Sequence, residues 1–427
     1  MIWFLQESPA PLRIVLAAML GVLLGAAVNW ARYSLAFEPR FWSPWSRRHP
    51  RDAQSAWPDR LPIFGWLRLR RKAELLGPKF WRQPLLLELL CGVAVGAWYW
   101  WEVVEGRLLP PDAVAQRDQL TVMLHLQFVC HFVLAGFMLA AATIDIDERL
   151  IPDEVTVAGT LVGLALLTIS PWMMLSSDYF DIGEQGVFLW LDLAAPNLLP
   201  KVLKGAPSGA SLALGIGCYL LWCFALLPRV WHGRHGPRRA VQLMVARMAR
   251  EPVSGFIGIM AIVGAALIGI VWAFEPYRWI GLSTSLVGMT VGMSIVWATR
   301  LIGRWAFRRE AMGFGDVTLM AMIGAYVGWQ PSTMIFFAAP IPAIVIHGVH
   351  WLMHRDTELP YGPYLCLSTV LVLTFWAEIW DVAGPRFGVV GLVPMVLVAG
   401  FFMLFVVLSA WRKLRGEPLE EPDEAAV

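Results

Sequence analysis

Long apolar runs recur along this sequence and constrain its fold more than any other feature. Hydrophobic residues make up 58% of the 427 residues and charged residues only 15%, a balance unlike that of soluble domains. A bilayer-spanning helix needs about 20 apolar residues, so the runs predict an all-α polytopic membrane protein with about eleven transmembrane helices. The predicted spans lie at residues 11–31, 84–104, 120–144, 155–175, 208–228, 253–274, 280–301, 315–329, 331–353, 363–383 and 389–411.

Basic residues predict the orientation of these helices. With the N-terminus outside, the segments predicted to be cytoplasmic hold 27 Lys and Arg and the opposite segments hold seven, as the positive-inside rule requires. The first residues lack the basic start of a cleaved signal peptide, so we expect the first apolar run to be retained. The predicted parts are a first transmembrane helix at 1–31, a small basic cytoplasmic domain without cysteines at 32–83, a transmembrane bundle at 84–411 and an acidic cytoplasmic tail at 412–427.

The basic domain at 32–83 has two interpretations that are compatible with each other. It can lie along anionic lipid headgroups, or it can dock the soluble part of a substrate. A structural zinc site needs about four Cys or His ligands, and His49 is the only candidate between residues 32 and 82. We therefore expect no metal, and expect apolar side chains to hold the domain, either packed among themselves or against the membrane interface, namely Trp57, Phe64, Trp66, Phe80 and Trp81.

Two aspartates stand at the ends of apolar segments, where a carboxylate is costly and is by default a functional candidate. Asp316 follows Gly313 and Gly315, which lack Cβ atoms and so permit unusual backbone conformations or the close approach of another chain. Asp145 ends another apolar run. Two carboxylates roughly 5 Å apart repel by about 3 kcal/mol at an effective dielectric constant near 20, so one would hold a proton while the other is ionised. Such a pair can activate water and protonate a scissile carbonyl.

The acids that follow Asp145 have other predicted roles. Asp147 points about 200° away from Asp145 on a helix, so we expect Asp147, Glu148 and Arg149 to form a solvated rim. Asp153, after Pro152, is expected to cap the next helix, with support of Asp145 as the alternative. Glu88 is expected to pair with Arg82 or a neighbour.

The histidines favour structural roles over metal binding. His347, His350 and His354 have a ligand-like helical spacing, but their place near a cytoplasmic helix end favours polar packing. His125 and His131 are expected to make hydrogen bonds between helices.

The two acidic segments resemble the signatures of the type IV prepilin leader peptidases, a family of GxGD membrane aspartyl proteases. The matching segments are Ile144-Asp145 with Leu150-Ile151-Pro152-Asp153, and Glu310-Ala311-Met312-Gly313-Phe314-Gly315-Asp316. Further similarities lie at Gly25 to Asn29, Arg82 to Glu88 and Leu359 to Tyr364. The resemblance implies that Asp145 and Asp316 are catalytic and that Gly313, Gly315, Asp153, Pro152 and Glu310 support them.

The same resemblance implies cleavage of prepilin or pseudopilin leaders at the cytoplasmic face of a bacterial inner membrane. Proteolysis would need no cofactor, whereas methylation of the new N-terminus would use S-adenosylmethionine, for which no binding residues are assigned. The implied partners are these substrates and the lipid membrane, with no nucleic acid.

The sequence also departs from the family pattern. Many members carry two CxxC pairs in the cytoplasmic domain, and many have Lys where this chain has Thr318. A helix pair near 253–301 and the last span look like additions to the family's usual eight helices. The alternative function is a proton-coupled transporter in which Asp145 and Asp316 relay protons.

Overall fold

The computed structural model describes residues 8–37, 57–182, 185–196, 207–227, 250–307, 312–346, 360–389 and 391–415, and the single positions 239, 242, 243 and 246. The chain forms two compact units. The first comprises Met1–Gly163, Leu175–Trp190 and Phe337–Val382, and the second comprises Leu164–Met174, Leu191–Phe336 and Ala383–Val427.

The first unit contains most of the N-terminal helices. Its helices are α1 (Ala10–Ser34), α2 (Phe64–Leu69), α3 (Ala73–Leu76), α4 (Arg82–Tyr99), α5 (Thr121–Glu148), the start of α6 (Asp153–Ile169), α12 (Gly362–Thr374) and the start of α13 (Trp376–Phe387). A π-helical turn, Trp100–Val104, continues α4. Short 3-10 turns lie at Trp57–Arg60, Arg70–Lys72 and Pro111–Gln116.

The second unit contains the ends of α6 and α13 and the 3-10 turn Pro171–Met173. Its remaining helices are α7 (Gly209–Leu226), α8 (Pro252–Phe274), α9 (Pro276–Phe307), α10 (Gly315–Val327), the start of α11 (Trp329–Ala338) and α14 (Leu392–Arg415).

Helices suited to a membrane dominate the described residues, as the sequence predicts, but the expected number is not confirmed. Within the described ranges, eight helices are long and apolar enough to cross a bilayer, or up to nine if a bent pair counts as one span. α10 is apolar but has only 13 residues. The eighth predicted span, at 315–329, therefore corresponds to a short helix. α6 has 17 residues and is therefore shorter than each of these eight helices.

The predicted span at 363–383 is broken rather than straight. α12 and α13 meet at Phe375 with a bend of 91°. A break leaves helical carbonyls without their usual partners. The Trp101 indole donates to the carbonyl of Thr374 at 2.8 Å, and the Trp376 indole donates to the carbonyl of Ser176 at 2.7 Å. Indole groups from separate segments therefore fix the chain around the bend.

A β-hairpin occupies part of the segment expected to be a loop after residue 175. Strand β1 (Ser176–Ile182) pairs antiparallel with β2 (Gln185–Trp190). The Ser176 hydroxyl donates to the carbonyl of Leu108 at 2.6 Å, which ties the hairpin to the connection after α4. The fold is thus helical with one small hairpin, which the apolar runs did not reveal.

Small residues bring α1 and α4 into close contact, as Gly21 and Gly25 lead one to expect. A β-carbon on Gly25 would lie 2.7 Å from Cα of Glu88. One on Gly21 would overlap the carbonyl oxygen of Cys91. Side chains at either position would force the two backbones apart.

Glu88 joins these helices to the basic segment, and the predicted pairing with Arg82 is wrong. The buried Glu88 carboxylate accepts from Asn29 Nδ2 at 3.2 Å, from Trp66 Nε1 at 2.7 Å and from the Ile63 backbone N–H at 2.5 Å. Uncharged donors thus satisfy the carboxylate, because Arg82 opens α4 and is exposed.

The apolar contacts in the basic segment match the prediction only in part. Trp66 and Phe80 are buried in a cluster with Tyr33. Trp57 and Phe64, however, are 69% and 66% exposed, so they are not buried in this cluster, and their contact with the membrane interface remains a prediction. His49 lies outside the described residues.

His125 and His131 make the predicted contacts between helices. His131 Nδ1 lies 2.8 Å from Oε1 of the buried Glu102. His125 Nε2 lies 2.9 Å from the Tyr99 hydroxyl. Both histidines therefore connect α5 to α4 and its π-helical extension.

Candidate active site

Asp145 lies in the last turn of α5 with only 5% of its surface exposed. The helix ends at Arg149, whose backbone is left-handed (φ 57°, ψ 32°) and whose N–H donates to the carbonyl of Asp145 at 2.8 Å. Among the described residues, Oδ2 of Asp145 has no hydrogen-bond partner. The helix dipole places partial negative charge at this end. Burial and the helix end thus both oppose a negative charge here.

Gly362 packs directly against this carboxylate. A β-carbon on Gly362 would lie 2.5 Å from Oδ2 of Asp145 and 3.0 Å from Cδ1 of Ile151. Gly362 opens α12 and belongs to the Pro-Tyr-Gly-Pro segment noted in the sequence. That segment carried a family resemblance, but we did not predict that it would contact Asp145. Any side chain at position 362 would displace the acid.

Pro152 and Asp153 form the start of α6. The Pro152 carbonyl accepts from the N–H groups of Val155 and Thr156, at 3.1 and 3.4 Å. Asp153 is the first helical residue and is exposed, where its charge complements the helix dipole. Its place at the start of the helix is as predicted, whereas its capping role and its support of Asp145 remain predictions.

The expectation of a solvated rim after Asp145 is wrong for Asp147. Its carboxylate forms a bidentate ion pair with Arg32 of α1, with distances of 2.7 and 2.8 Å. The two side chains are only 17% and 12% exposed. Glu148 accepts from the backbone N–H of Phe37 at 2.7 Å. The end of α1 therefore holds the end of α5, a pairing that helical spacing could not show.

Asp316 occupies the opposite kind of helix end. It is the second residue of α10 and is 7% exposed. The positive end of the helix dipole lies here and stabilises a negative charge. Thr318 donates from Oγ1 to the carbonyl of Gly315 at 3.0 Å. The hydroxyl found in place of the family's lysine therefore contributes to the first turn.

The glycines before Asp316 leave space rather than adopt an unusual backbone conformation. Gly313 does not take a left-handed φ, and Gly315 is the first residue of α10. The prediction of a conformation closed to other residues is therefore wrong. A β-carbon on Gly313 would lie 4.0 Å from Oδ2 of Asp316, which is ordinary contact. The remaining role predicted for Gly313 is therefore to leave space for the close approach of another chain. Glu310 lies outside the described residues.

Arg300 holds the Gly-x-Gly loop and was not singled out in the sequence. Its Nε donates to the carbonyl of Met312 at 3.0 Å, and its guanidinium lies 5.6 Å from the centre of the Phe314 ring. Trp297 meets the same ring edge-on, with ring centroids 6.3 Å apart. The only sequence signal was a cation within an apolar helix, which we counted as part of the positive-inside bias.

Close packing of α9 against α10 fixes the helix that carries Asp316. A β-carbon on Gly292 would lie 2.5 Å from the carbonyl oxygen of Met320, and Gly288 and Gly324 meet backbone to backbone. Ser285 donates to the carbonyl of Ala325. Small residues four apart allow this approach, which keeps the start of α10 in place.

Metal-binding chemistry has no candidate cluster within the described ranges. No group of three or more His, Cys, Asp or Glu side chains there could hold a metal ion. His347, His350 and His354 lie outside those ranges. The expectation of no metal therefore stays a prediction.

The helices and the two buried aspartates define a multi-pass membrane protein with an acid at each of two helix ends. A profile of the Type IV leader peptidase family matches residues 256–348, which include Asp316. The match also runs through the helix pair near 253–301 that the sequence analysis treated as an addition. No solved structure matches the chain.

Several curated proteins named prepilin leader peptidase/N-methyltransferase are similar to the chain. The one from Escherichia coli K12 is 31% identical over 115 residues, which cover 26% of this chain and 50% of the relative. Those from Pseudomonas putida and Aeromonas salmonicida are 28% and 27% identical, over 24% and 27% of this chain and 36% and 38% of the relatives. The chain spans half or less of the length of these relatives. Over these segments the chain is therefore similar to the type IV prepilin leader peptidases.

Proposed function

We propose that this chain is a membrane aspartyl endopeptidase that removes the leader peptide of prepilins or pseudopilins at the cytoplasmic face of a bacterial inner membrane. The observation that carries the proposal is that both motif aspartates are buried at helix ends, Asp145 against Gly362 and Asp316 beside Gly313. Carboxylates held in such buried surroundings are candidates for acid–base chemistry.

The two helix ends assign different roles to the aspartates. Asp316, at the positive end of α10, is suited to remain ionised and take a proton from water. Asp145, at the negative end of α5, is suited to hold a proton and donate it. The water oxygen bonds to the scissile carbonyl carbon while Asp145 protonates the carbonyl oxygen. The proton taken up by Asp316 then passes to the leaving amine as the C–N bond breaks, while the carbonyl oxygen returns its proton to Asp145 and the C=O double bond re-forms.

The test is cleavage of a purified prepilin by the full chain in nanodiscs, with leader removal measured by mass. Asp145→Asn and Asp316→Asn should each lower the rate at least about 10³-fold, because general acid–base groups contribute roughly 10²–10⁴-fold each. Asp118→Asn is the matched control, since Asp118 is 95% exposed. Substantial cleavage by either catalytic-site variant would overturn the assignment.

The same variants, reconstituted in sealed vesicles, separate the peptidase from the proton-transporter alternative. A transporter would carry protons across a sealed vesicle without cleaving the prepilin, and the two Asn variants would stop that flux. Cleavage without proton flux supports the peptidase.

Methyl transfer is a separate proposal, drawn from the names of the relatives. It requires S-adenosylmethionine as the methyl donor, and we assign no residues to it. A 14 Da mass increase of the cleaved product, dependent on that donor, would support it.

A further inference from the structure

A short stretch of the basic segment is held at the level where α1 ends and α4 begins. Trp66 and Ile63 both donate to Glu88, and Asn29 of α1 donates to the same carboxylate. Glu88 stands six residues after Arg82, the first residue of α4, which at 1.5 Å per residue is about 9 Å along the helix. The stretch is therefore anchored close to a helix end rather than extended away from it.

The helix α2 within this stretch has two unlike faces. Its inner face is buried and consists of Gly65, Trp66 and Leu69. Phe64 and Leu67, three residues apart and hence on one side, are 66% and 48% exposed. Leu61, just before the helix, is 38% exposed. The apolar side chains of the outer face have no core beneath them, unlike those of the inner face.

Basic side chains continue this outer face. Arg68 stands four residues after Phe64 on α2, and Arg71 lies in the 3-10 turn that follows. Their side chains are 45% and 53% exposed. Both contact the buried Asp59, at 3.1 and 3.0 Å. One acid fixes two cations, so this group keeps a net positive charge. Between residues 57 and 82 there are seven Lys and Arg against two Asp and Glu.

We propose that the outer face of α2 is a lipid-binding surface that inserts into the headgroup region of the cytoplasmic leaflet and selects anionic phospholipids. A short element with exposed apolar side chains beside arginines is suited to the interface, and cytoplasmic leaflets carry negative charge. The net positive charge of this stretch disfavours a basic peptide as its occupant. The lipid surface accounts for both the apolar and the charged side chains.

The test places a spin label at Phe64→Cys in the full chain in nanodiscs. The described cysteines are all buried, and wild-type protein carried through labelling measures their background. A label at Asp118→Cys, in an exposed position, is the matched control for water contact. Relaxation by oxygen, which partitions into lipid, is compared with relaxation by a water-soluble nickel chelate.

The label at position 64 should respond to oxygen more than to nickel, and this ratio should rise at least twofold when phosphatidylglycerol joins phosphatidylcholine. A second label at Leu67→Cys should behave alike, and thermal unfolding confirms that both variants are folded. Equal nickel access at positions 64 and 118 in both lipids would overturn the proposal. Protection of position 64 by an added prepilin leader peptide, with no effect of lipid, would assign the surface to substrate instead.

Discussion

The ends of α5 and α10 carry the same residue type in two differently built surroundings. Around Asp145, the neighbours come from distant segments, with Gly362 against the carboxylate and Arg32 on the adjoining Asp147. Around Asp316, the neighbours come from nearby sequence, with Arg300 and Thr318 holding the loop and the first turn. The difference teaches that the surroundings of one acid are assembled from distant segments, whereas those of the other come from its own first turn and the preceding helix.

The largest expected effect tests whether the two acids act together. Groups that form one catalytic unit are strongly non-additive. The double variant Asp145→Asn with Asp316→Asn should therefore be no slower than either single variant, measured by leader cleavage. Loss factors that multiply in the double variant would show that the two aspartates act independently, and would break the proposed pairing.

The next effect compares the glycines beside the two acids. Gly362→Ala places a methyl 2.5 Å from Oδ2 of Asp145, whereas Gly313→Ala places one 4.0 Å from Oδ2 of Asp316. A displacement near 1 Å can cost about 10²-fold in rate. Gly362→Ala should therefore lower kcat by about that factor, and Gly313→Ala much less. Equal losses, or the reverse order, would contradict the description of the two surroundings.

A smaller effect is expected at Arg300, which acts on Asp316 through the loop. Arg300→Ala should lower kcat about tenfold with little change in KM, because a charge-assisted hydrogen bond is worth roughly 1.5–3 kcal/mol. Arg300→Lys, which keeps a donor, should recover part of the rate. Arg278→Ala, at a half-exposed arginine on the same helix, is the control. Failure of Lys to recover any activity would argue against the hydrogen bond as the cause.

The ion pair beside Asp145 should matter less for chemistry than for stability. Arg32→Gln, Asp147→Asn and their combination form a double-mutant cycle, with thermal unfolding as the measurement. We expect a coupling free energy of about 1 kcal/mol, since the pair is bidentate and mostly buried. Leader cleavage should change less than about fivefold. A coupling near zero would mean that the pair does not fix α5 to α1.

The smallest expected effect is that of a chelator. Among the described residues, neither Asp145 nor Asp316 is surrounded by a metal-binding cluster. A chelator should therefore leave the unfolding temperature and the cleavage rate unchanged. Elemental analysis that finds one zinc per chain, lost together with activity, would refute this and would point first to His347, His350 and His354.

The sequence by itself determined the membrane class and the positions of the two acids. Run length against bilayer thickness identifies membrane helices wherever a run is continuous, and it located α1, α5 and α8 well. It could not place the bend at Phe375, because the two helices on either side of the bend together still pass as one span. The two acids could be identified from the sequence because a carboxylate at the edge of an apolar run is costly and is therefore a functional candidate.

The tertiary structure alone decided what surrounds those acids. Arg32 and Asp147 are 115 residues apart, and Asn29 and Glu88 are 59 apart, so no local period links them. Gly362 contacts Asp145 only because α12 packs beside α5. Trp66 and Phe64 look alike in sequence, yet one is buried and the other exposed. Which face of a helix contacts a neighbour depends on how the other helices pack. The sequence of a single segment does not determine that packing.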